Sequence, residues 1–309
     1  MYRGRVRFTV PMMYALAFLM MFVIGGLTGV ILANPTIDFQ VHNTLFLVAH
    51  FHNVLIPGLL FGLLAGYHFW FPKAFGFRLD EKWGRIAFAC WSLGFILAFF
   101  PLYGLGLLGM PRRTVAFFEP TYLPYTLVAG LGAALILCGL GSLFVQLWVS
   151  IRKREENRVY VGDPWNGRSL EWSVSAPPPE YNFPVLPEVT DRDAFAVAKE
   201  NGYAYQPAKE YADIKLPRNS AVGMIICVAS AFMAFGLVWH MWWLVVLGLV
   251  VCWGTVVARS FVRETSRIIP ADEVEQTDQR WLRAVAKARP VSREDEIAPA
   301  NRGMAEAAA

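Results

Sequence analysis

The sequence predicts an all-α fold, a polytopic bundle of helices that crosses a membrane. Of its 309 residues, 56% are apolar and only 17% are charged. Soluble domains are about 45–50% apolar and about 25% charged. The apolar residues also gather in six stretches, each near the ~20 residues that a membrane-spanning helix needs. This excludes soluble and nucleic-acid-binding classes and makes membrane lipid an expected partner.

The six predicted transmembrane helices follow these stretches in order. They are expected at 8–33, 44–71, 86–110, 122–151, 220–239 and 241–261. The last two lie so close together that they must form a hairpin. The predicted organisation is four transmembrane helices in 1–151, a cytoplasmic Pro- and Trp-rich loop at 152–218, the hairpin at 219–262 and a cytoplasmic tail at 263–309. Within the tail we expect an amphipathic helix near 272–289, followed by disorder.

The basic residues predict the orientation of the bundle. All but two of the 28 Lys and Arg residues fall on one side when successive helices alternate in direction. The positive-inside rule makes this side cytoplasmic, so both termini are expected there. The exceptions, Arg112 and Arg113, are adjacent on the outer side. They form either an ordinary loop pair or a pair held by an anion, since Arg presents a planar fork suited to carboxylates.

The loop at 152–218 carries Trp165, Trp172 and the triple proline Pro177–Pro179. Consecutive prolines favour an extended polyproline conformation. With two tryptophans nearby, we expect this segment to lie on a surface rather than to act as a free linker.

Two histidines, His50 and His52, lie within the second predicted span. A helix turns ~100° per residue, so their rings should point to opposite faces. They cannot hold one metal ion together, which would need i, i+4 spacing. Each could serve a separate haem, because the porphyrin supplies four ligands and the iron needs only one or two more. The alternative is a pair of buried histidines that bond to neighbouring helices.

Three further histidines have simpler interpretations. His42 is expected at the outer mouth of the same helix, either as an interfacial cap or in contact with the polar edge of a cofactor. His68 and His240 are expected in aromatic belts at the membrane surface. If haems bind near the outer half of the second span, their propionates would meet the outer arginine pair.

Three motifs resemble the large subunit, subunit I, of haem–copper terminal oxidases. Residues 42–54 (HNTLFLVAHFHNV) are similar to the tenth helix of that family, and residues 106–113 (GLLGMPRR) to its propionate-binding loop. Residues 162–179 resemble its inner connection. The resemblance extends to about residue 275 and is closest to the bo-type ubiquinol oxidase branch. It identifies the chain as similar to the C-terminal portion of such a subunit.

The resemblance implies specific roles for the motif residues. His50 would be the axial ligand of the high-spin haem, of o or a type, where oxygen reacts. His52 would be an axial ligand of the low-spin, b-type haem, with Phe51 between the two haems. The propionate region would include Arg112, Arg113 and His42.

The resemblance also implies what other parts of the oxidase supply. Asn43 stands where cytochrome c oxidases carry an Asp that helps to hold magnesium, which favours a quinol donor and argues against a magnesium site. The copper ligands and the second ligand of the low-spin haem lie upstream of the matched region in the family. The expected partners are therefore the N-terminal half of the large subunit and the other oxidase subunits. The complete enzyme would oxidise ubiquinol, reduce oxygen to water and translocate protons across the bacterial inner membrane.

Alternatives remain open at this point. The chain could be a non-catalytic fragment or an assembly piece that is inactive without the missing N-terminal half. It could also belong to a cytochrome c oxidase of the same superfamily. A di-haem cytochrome b is disfavoured because the sequence has no second helix with histidines deep in the bilayer. A transporter is also disfavoured, because it would require charged or unwound residues at the bilayer midplane and the sequence shows none there.

Overall fold

The computed structural model describes residues 6–189 and 191–288, and it is mostly helical. These residues divide into two compact units. Among these residues, the first unit takes in 6–178, 189, 191–205 and 284–288, and the second takes in Pro179–Glu188 and Gln206–Arg283.

Most of the first unit consists of long apolar helices. Its helices are α1 (Val10–Ala33), α2 (Pro35–Val41), α3 (Leu45–Leu55), α4 (Gly62–Phe75), α5 (Glu81–Leu107), α6 (Leu123–Arg152) and α7 (Ala194–Glu200). A π-helical stretch, Ile56–Phe61, joins α3 to α4, so that Leu45–Phe75 forms one continuous span. The short helix α2 was not expected from the sequence.

The second unit combines an apolar helical hairpin with a small polar assembly. Its elements are β1 (Ile214–Pro217), α8 (Val222–Val238), α9 (Trp242–Ser260), β2 (Ser266–Ile269) and α10 (Ala271–Lys287), of which the last four residues belong to the first unit. The strands pair antiparallel, with Ile214 opposite Ile269. The Tyr211 hydroxyl donates to Asp278 Oδ2 on α10 at 2.8 Å, and burial raises the pKa of that carboxyl group.

The predicted fold class is confirmed. Among the described residues, five helical spans are long and apolar enough to cross a membrane, namely Val10–Ala33, Leu45–Phe75, Glu81–Leu107, Pro120–Arg152 and Trp242–Ser260. The fifth predicted span is the 17-residue α8, which forms the expected hairpin with α9. The predicted amphipathic helix is α10, whereas the disorder expected beyond residue 289 lies outside the described residues.

Local sequence explains where α5 begins and why the second span contains a π-helical stretch. Asp80 begins α5, and its side chain accepts a hydrogen bond from Trp83 N. Pro57 lies in the interior of the second span and has no N–H to give to the helix. The π-helical stretch surrounds this proline, and such stretches often occur beside functional sites.

Aromatic residues and glycines hold the bundle together. Tyr14, Phe61 and Phe95 are fully buried where α1, the π-helical stretch and α5 meet. A Cβ added at Gly106 of α5 would lie 2.1 Å from Phe46 N, so these two backbones are in direct contact. Small residues at helix contacts permit such close approach in membrane bundles.

The long connection after α6 packs onto the end of α4, as its tryptophans predict. Trp165 Nε1 donates to Phe69 O at 2.8 Å, and the ring of Trp172, which is 1% exposed, packs edge-on against Phe69. Lys73 Nζ donates to Gly162 O at 3.3 Å and to Val174 O at 2.5 Å. Residues 162–174 of the connection therefore lie on the end of α4 rather than hanging free.

Candidate functional site

His50 and His52 lie on one regular helix, as the sequence predicts. The Thr44 hydroxyl caps α3 by accepting a hydrogen bond from Phe46 N. The helix then runs without interruption to Leu55, so the two histidines are separated by two helical positions. Their rings lie against different neighbouring helices.

His50 faces α1. Its Nδ1 lies 2.9 Å from Thr28 Oγ1 and 3.1 Å from Gly25 O. The α1 backbone is so close that a Cβ added at Gly29 would lie 2.9 Å from His50 Cε1. Nε2 has no hydrogen-bond partner among the described residues. A neutral imidazole whose Nδ1–H is bound in this way carries a free lone pair on Nε2.

His52 lies against α5 and is anchored in the same manner. Its ring stacks on Phe99 with ring centroids 4.4 Å apart. Its Nδ1 lies 2.8 Å from Val48 O, one turn earlier in α3. In the described part of the chain, Nε2 again has no hydrogen-bond partner. Both histidines therefore present Nε2 as an available metal ligand, on two sides of one helix.

This arrangement fits haem ligation, and His68 shows the contrast. Iron-bound histidines commonly donate Nδ1–H to a carbonyl, which fixes the tautomer and orients the ring. His68 instead has acceptors at both nitrogens, Leu64 O at 2.7 Å and Gln146 Oε1 at 3.0 Å. It is 3% exposed and stacks on Tyr14. The expectation of an aromatic-belt residue was wrong for His68, which joins α4 to α6.

The remaining histidines lie at helix ends. His240 is exposed in the α8–α9 turn, near Trp242, which is consistent with an interfacial position. His42 was expected on the same helix as His50, and this expectation was wrong. Helix α2 ends at Val41, and the positive φ of Asn43 separates α2 from α3. The His42 ring pairs with Asp38 at 3.2 Å, and both side chains are solvent-exposed.

The outer arginine pair lies beside the start of the histidine helix. Arg112 N donates to Asn43 O at 2.9 Å, and Leu45 N donates to Met110 O at 3.0 Å. These bonds hold the arginine loop against the first turn of α3. No carboxylate among the described residues pairs with the guanidinium of either Arg112 or Arg113, although eight ion pairs occur elsewhere in that part of the chain.

Phe51 is the residue between the two histidines along α3. Its side chain is 38% exposed, and its ring centroid lies 4.4 Å from that of His52. The side chain therefore extends from the helix between the directions of the two imidazoles.

Sequence reasoning missed the residues that support His50. Thr28, Gly25 and Gly29 of α1 surround its ring, and Tyr103 of α5 lies 3.1 Å from Thr28 Oγ1. The i, i+4 spacing of the two glycines was the available signal, since such pairs mark close helix contacts in membranes. Tyr103 left no comparable signal because its partner is 75 residues away in the sequence.

Comparison with protein-family models decides the family. Residues 1–158 match the model described as "Cytochrome C and Quinol oxidase polypeptide I". The chain belongs to this oxidase family. The matched range contains α1 to α6, and therefore both histidines and the arginine loop.

Individual relatives extend the match beyond residue 158. The chain is 48% identical over 283 residues to a Bradyrhizobium diazoefficiens protein named probable cytochrome c oxidase subunit 1. It is 47% identical over 287 residues to ubiquinol oxidase subunit 1 of Acetobacter aceti. It is 44% identical over 279 residues to cytochrome bo(3) ubiquinol oxidase subunit 1 of Buchnera aphidicola. These alignments cover 90–92% of this chain but only 42–43% of the relatives, so the chain spans less than half of their length.

Membership confirms the resemblance seen in the motifs. Together with the five apolar spans, it also confirms a multi-pass protein of the bacterial inner membrane. The oxidase family contains haem and copper, and the words "subunit 1" in the names of the relatives imply further subunits in those assemblies.

Proposed function

We propose that this chain supplies one axial histidine to each of two haems in a respiratory quinol oxidase. That enzyme oxidises ubiquinol, reduces oxygen to water and translocates protons. The observation that carries the proposal is the opposed pair of imidazoles on α3, each held through Nδ1 and each with Nε2 available. His50 serves the high-spin haem, of o or a type, and His52 serves the low-spin b-type haem.

The chemistry of the haems explains why the protein fixes these rings so firmly. When bound, the two haems would carry electrons to oxygen, which would react at the high-spin haem. The protein chain orients Nε2 and sets its basicity through the partner of Nδ1, which tunes the iron. The Gly25 carbonyl and Thr28 hydroxyl do this for His50, and the Val48 carbonyl does it for His52.

The outer arginine loop would bind the haem propionates. Arg112 and Arg113 carry two positive charges that lack carboxylate partners within the described residues. The backbone bonds between Asn43 and Arg112 place these charges at the outer end of the histidine helix. A planar guanidinium binds a carboxylate in bidentate fashion. His42 lies one residue before this contact and belongs to the same propionate region.

The donor of electrons distinguishes two candidate functions. Asn43 supports a quinol oxidase, because the resemblance associates an Asp at this position with cytochrome c oxidases. The identity of 48% to a protein named probable cytochrome c oxidase subunit 1 supports the second candidate, an oxidase of cytochrome c. Oxygen consumption by the purified oxidase, measured with ubiquinol and then with reduced cytochrome c, separates the two.

Further parts of the site would come from partners. We propose that the N-terminal half of the large subunit holds the copper ligands and the second ligand of the low-spin haem; this chain aligns with only 42–43% of the length of its relatives. Other oxidase subunits complete the assembly. A fragment that serves only in assembly would show no ligand role for His50 or His52.

Substitution of each histidine in the oxidase that contains this chain tests the proposal. His52→Ala should abolish the low-spin absorption band, while His50→Ala should remove reactivity with oxygen and leave that band in place. His68→Ala is the matched control, because both of its nitrogens are already bonded within the bundle. Normal spectra in both the His50 and His52 variants would refute the assignment.

A further inference from the structure

A chain of polar side chains lies behind His50, between α1, α3 and α5. Asn53 Nδ2 is 3.3 Å from the Tyr103 hydroxyl, and that hydroxyl is 3.1 Å from Thr28 Oγ1. Thr28 Oγ1 is in turn 2.8 Å from Gly25 O and 2.9 Å from His50 Nδ1. These groups lie inside apolar helices, where an unpaired polar group is costly, so the chain of contacts requires an explanation.

The direction of each hydrogen bond follows from what its members can donate. The Gly25 carbonyl can only accept, so the single Thr28 hydroxyl hydrogen points to it. The lone pairs of Thr28 Oγ1 then accept from His50 Nδ1–H and from the Tyr103 hydroxyl. Asn53 donates to the Tyr103 oxygen. With these directions, one amide hydrogen of Asn53 and the hydrogens of the Tyr103 hydroxyl, the Thr28 hydroxyl and His50 Nδ1 each have an acceptor.

Two donors therefore compete for one hydroxyl oxygen. Thr28 Oγ1 is the nearer of the two acceptors of His50 Nδ1–H, since Gly25 O is 3.1 Å away. The Tyr103 hydroxyl draws electron density from the same oxygen. Its donation also polarises the Thr28 hydroxyl toward Gly25 O, because hydrogen bonds in a chain strengthen one another. The first effect weakens the bond from His50 Nδ1–H to Thr28 Oγ1, and the second weakens its bond to Gly25 O.

We propose that Thr28 and Tyr103 are a pair of positioning residues that set the electron-donating strength of His50 in opposite senses. Thr28 increases this strength by accepting Nδ1–H, and Tyr103 decreases it by competing for the Thr28 oxygen. The inference rests on the proposed function of His50 as a haem ligand and deepens it. Neither residue touches the haem or a substrate in this role.

Isosteric variants separate the two contributions. Thr28→Val keeps the shape of the side chain but removes the nearer acceptor, so Nδ1–H retains only the longer contact with Gly25. Tyr103→Phe keeps the ring, which packs edge-on against Phe46 at 4.9 Å, but removes the competing donor. Thr28→Ser restores the hydroxyl. Tyr67→Phe is a control, since this ring lies beside His68 on α4.

Resonance Raman spectroscopy of the reduced oxidase that contains this chain provides the readout. A stronger hydrogen bond on Nδ1 makes the imidazole a more basic ligand, which strengthens its bond to iron. The iron–histidine stretching band of the high-spin haem should therefore shift to lower frequency in Thr28→Val and to higher frequency in Tyr103→Phe. Thr28→Ser and Tyr67→Phe should match the unsubstituted protein. A structural loosening would not move the band in two directions.

The experiment distinguishes failure of this inference from failure of the proposed function. His50→Gly should abolish the iron–histidine band. If it does, and the Thr28→Val and Tyr103→Phe bands are unshifted or shift in the same direction, the inference is overturned while His50 remains a ligand. If the band persists unchanged in His50→Gly, the ligand assignment itself is overturned, and the inference falls with it.

Discussion

At the scale of single residues, the partners of the ring nitrogens distinguish candidate ligands from structural histidines. His50 and His52 each use Nδ1 for anchoring and leave Nε2 available, whereas His68 uses both nitrogens. Burial also differs, since His68 is buried and the other two are partly buried, but a buried histidine can have either role. The number of bonded nitrogens is therefore the informative observation.

The arginine loop leads to a prediction about haem potential. Arg112→Gln removes a positive charge that we propose lies beside a haem propionate. Its loss should favour the oxidised haem and lower the midpoint potential. The expected fall is on the order of 60 mV, the equivalent of a tenfold change for a one-electron couple. Spectroelectrochemical titration of the purified oxidase measures it.

Two further variants control this prediction. Arg112→Lys keeps the charge but loses the planar fork, so its potential should lie between those of Arg112→Gln and the unsubstituted protein. Arg85→Gln removes an exposed arginine that pairs with Glu81 at the first turn of α5, and it should leave the potential unchanged. Equal potentials in all variants would show that Arg112 does not bind a propionate.

At this scale the sequence identified the candidate ligands but not the residues that surround them. The spacing of His50 and His52 needs only the helical period, which is a local property. The contacts of Thr28 and Tyr103 arise when α1, α3 and α5 pack together, and 75 residues separate the two partners. Without a fold to bring these helices together, no pattern in the sequence connects them.

At the scale of helices, the close approach of α1 to α3 fixes the position of His50. Gly29→Ala would place a Cβ 2.9 Å from His50 Cε1, and the ring or the helix must move. We expect Gly29→Ala to lose most of the high-spin haem signal while the low-spin band remains. The absorption spectrum of the reduced oxidase with carbon monoxide measures this loss.

Gly26→Ala is the matched control for this prediction. Gly26 lies on the same helix, and a Cβ added there meets nothing within 4 Å. The variant therefore has the same change in helix propensity without the clash. If Gly26→Ala and Gly29→Ala give the same spectrum, close approach to His50 does not explain the requirement for glycine.

The attachment of the long connection to α4 gives a prediction about stability. Lys73→Met removes the donor from Gly162 O and Val174 O, which costs about 1–3 kcal/mol for each buried carbonyl left unpaired. The segment with Trp165 and Trp172 should then be cleaved faster by protease. Lys82→Met, at an exposed position on α5, should not change the rate. Equal rates in both variants would show that Lys73 does not hold the connection.

Some elements could be predicted from the sequence and others could not. Long apolar runs identified the spans and the α8–α9 hairpin because length in lipid is a strong constraint. The π-helical stretch at Ile56–Phe61 was missed because a proline within an apolar run does not reveal how the helix adapts. Strands β1 and β2 were missed because each has only four residues, and their pairing joins segments more than 45 residues apart.

At the scale of the whole molecule, the proposed haem sites are shared between this chain and the N-terminal half of the large subunit. The chain presents one imidazole toward each proposed haem, and it aligns with only 42–43% of the length of its relatives. A haem held by a single axial histidine and an open partner face should dissociate readily. We therefore expect the chain, expressed alone in membranes, to retain far less than two haems per chain.

Haem content measured as the pyridine haemochrome, per mole of purified chain, tests this expectation. Co-expression with the N-terminal half of the large subunit should raise the content toward two haems per chain. The double variant His50→Ala, His52→Ala should remain near zero in both conditions, because co-expression cannot restore the ligands that it lacks. Retention of two haems by the isolated chain would mean that α1, α3 and α5 form a complete site, and the division of ligands between two halves would then be wrong.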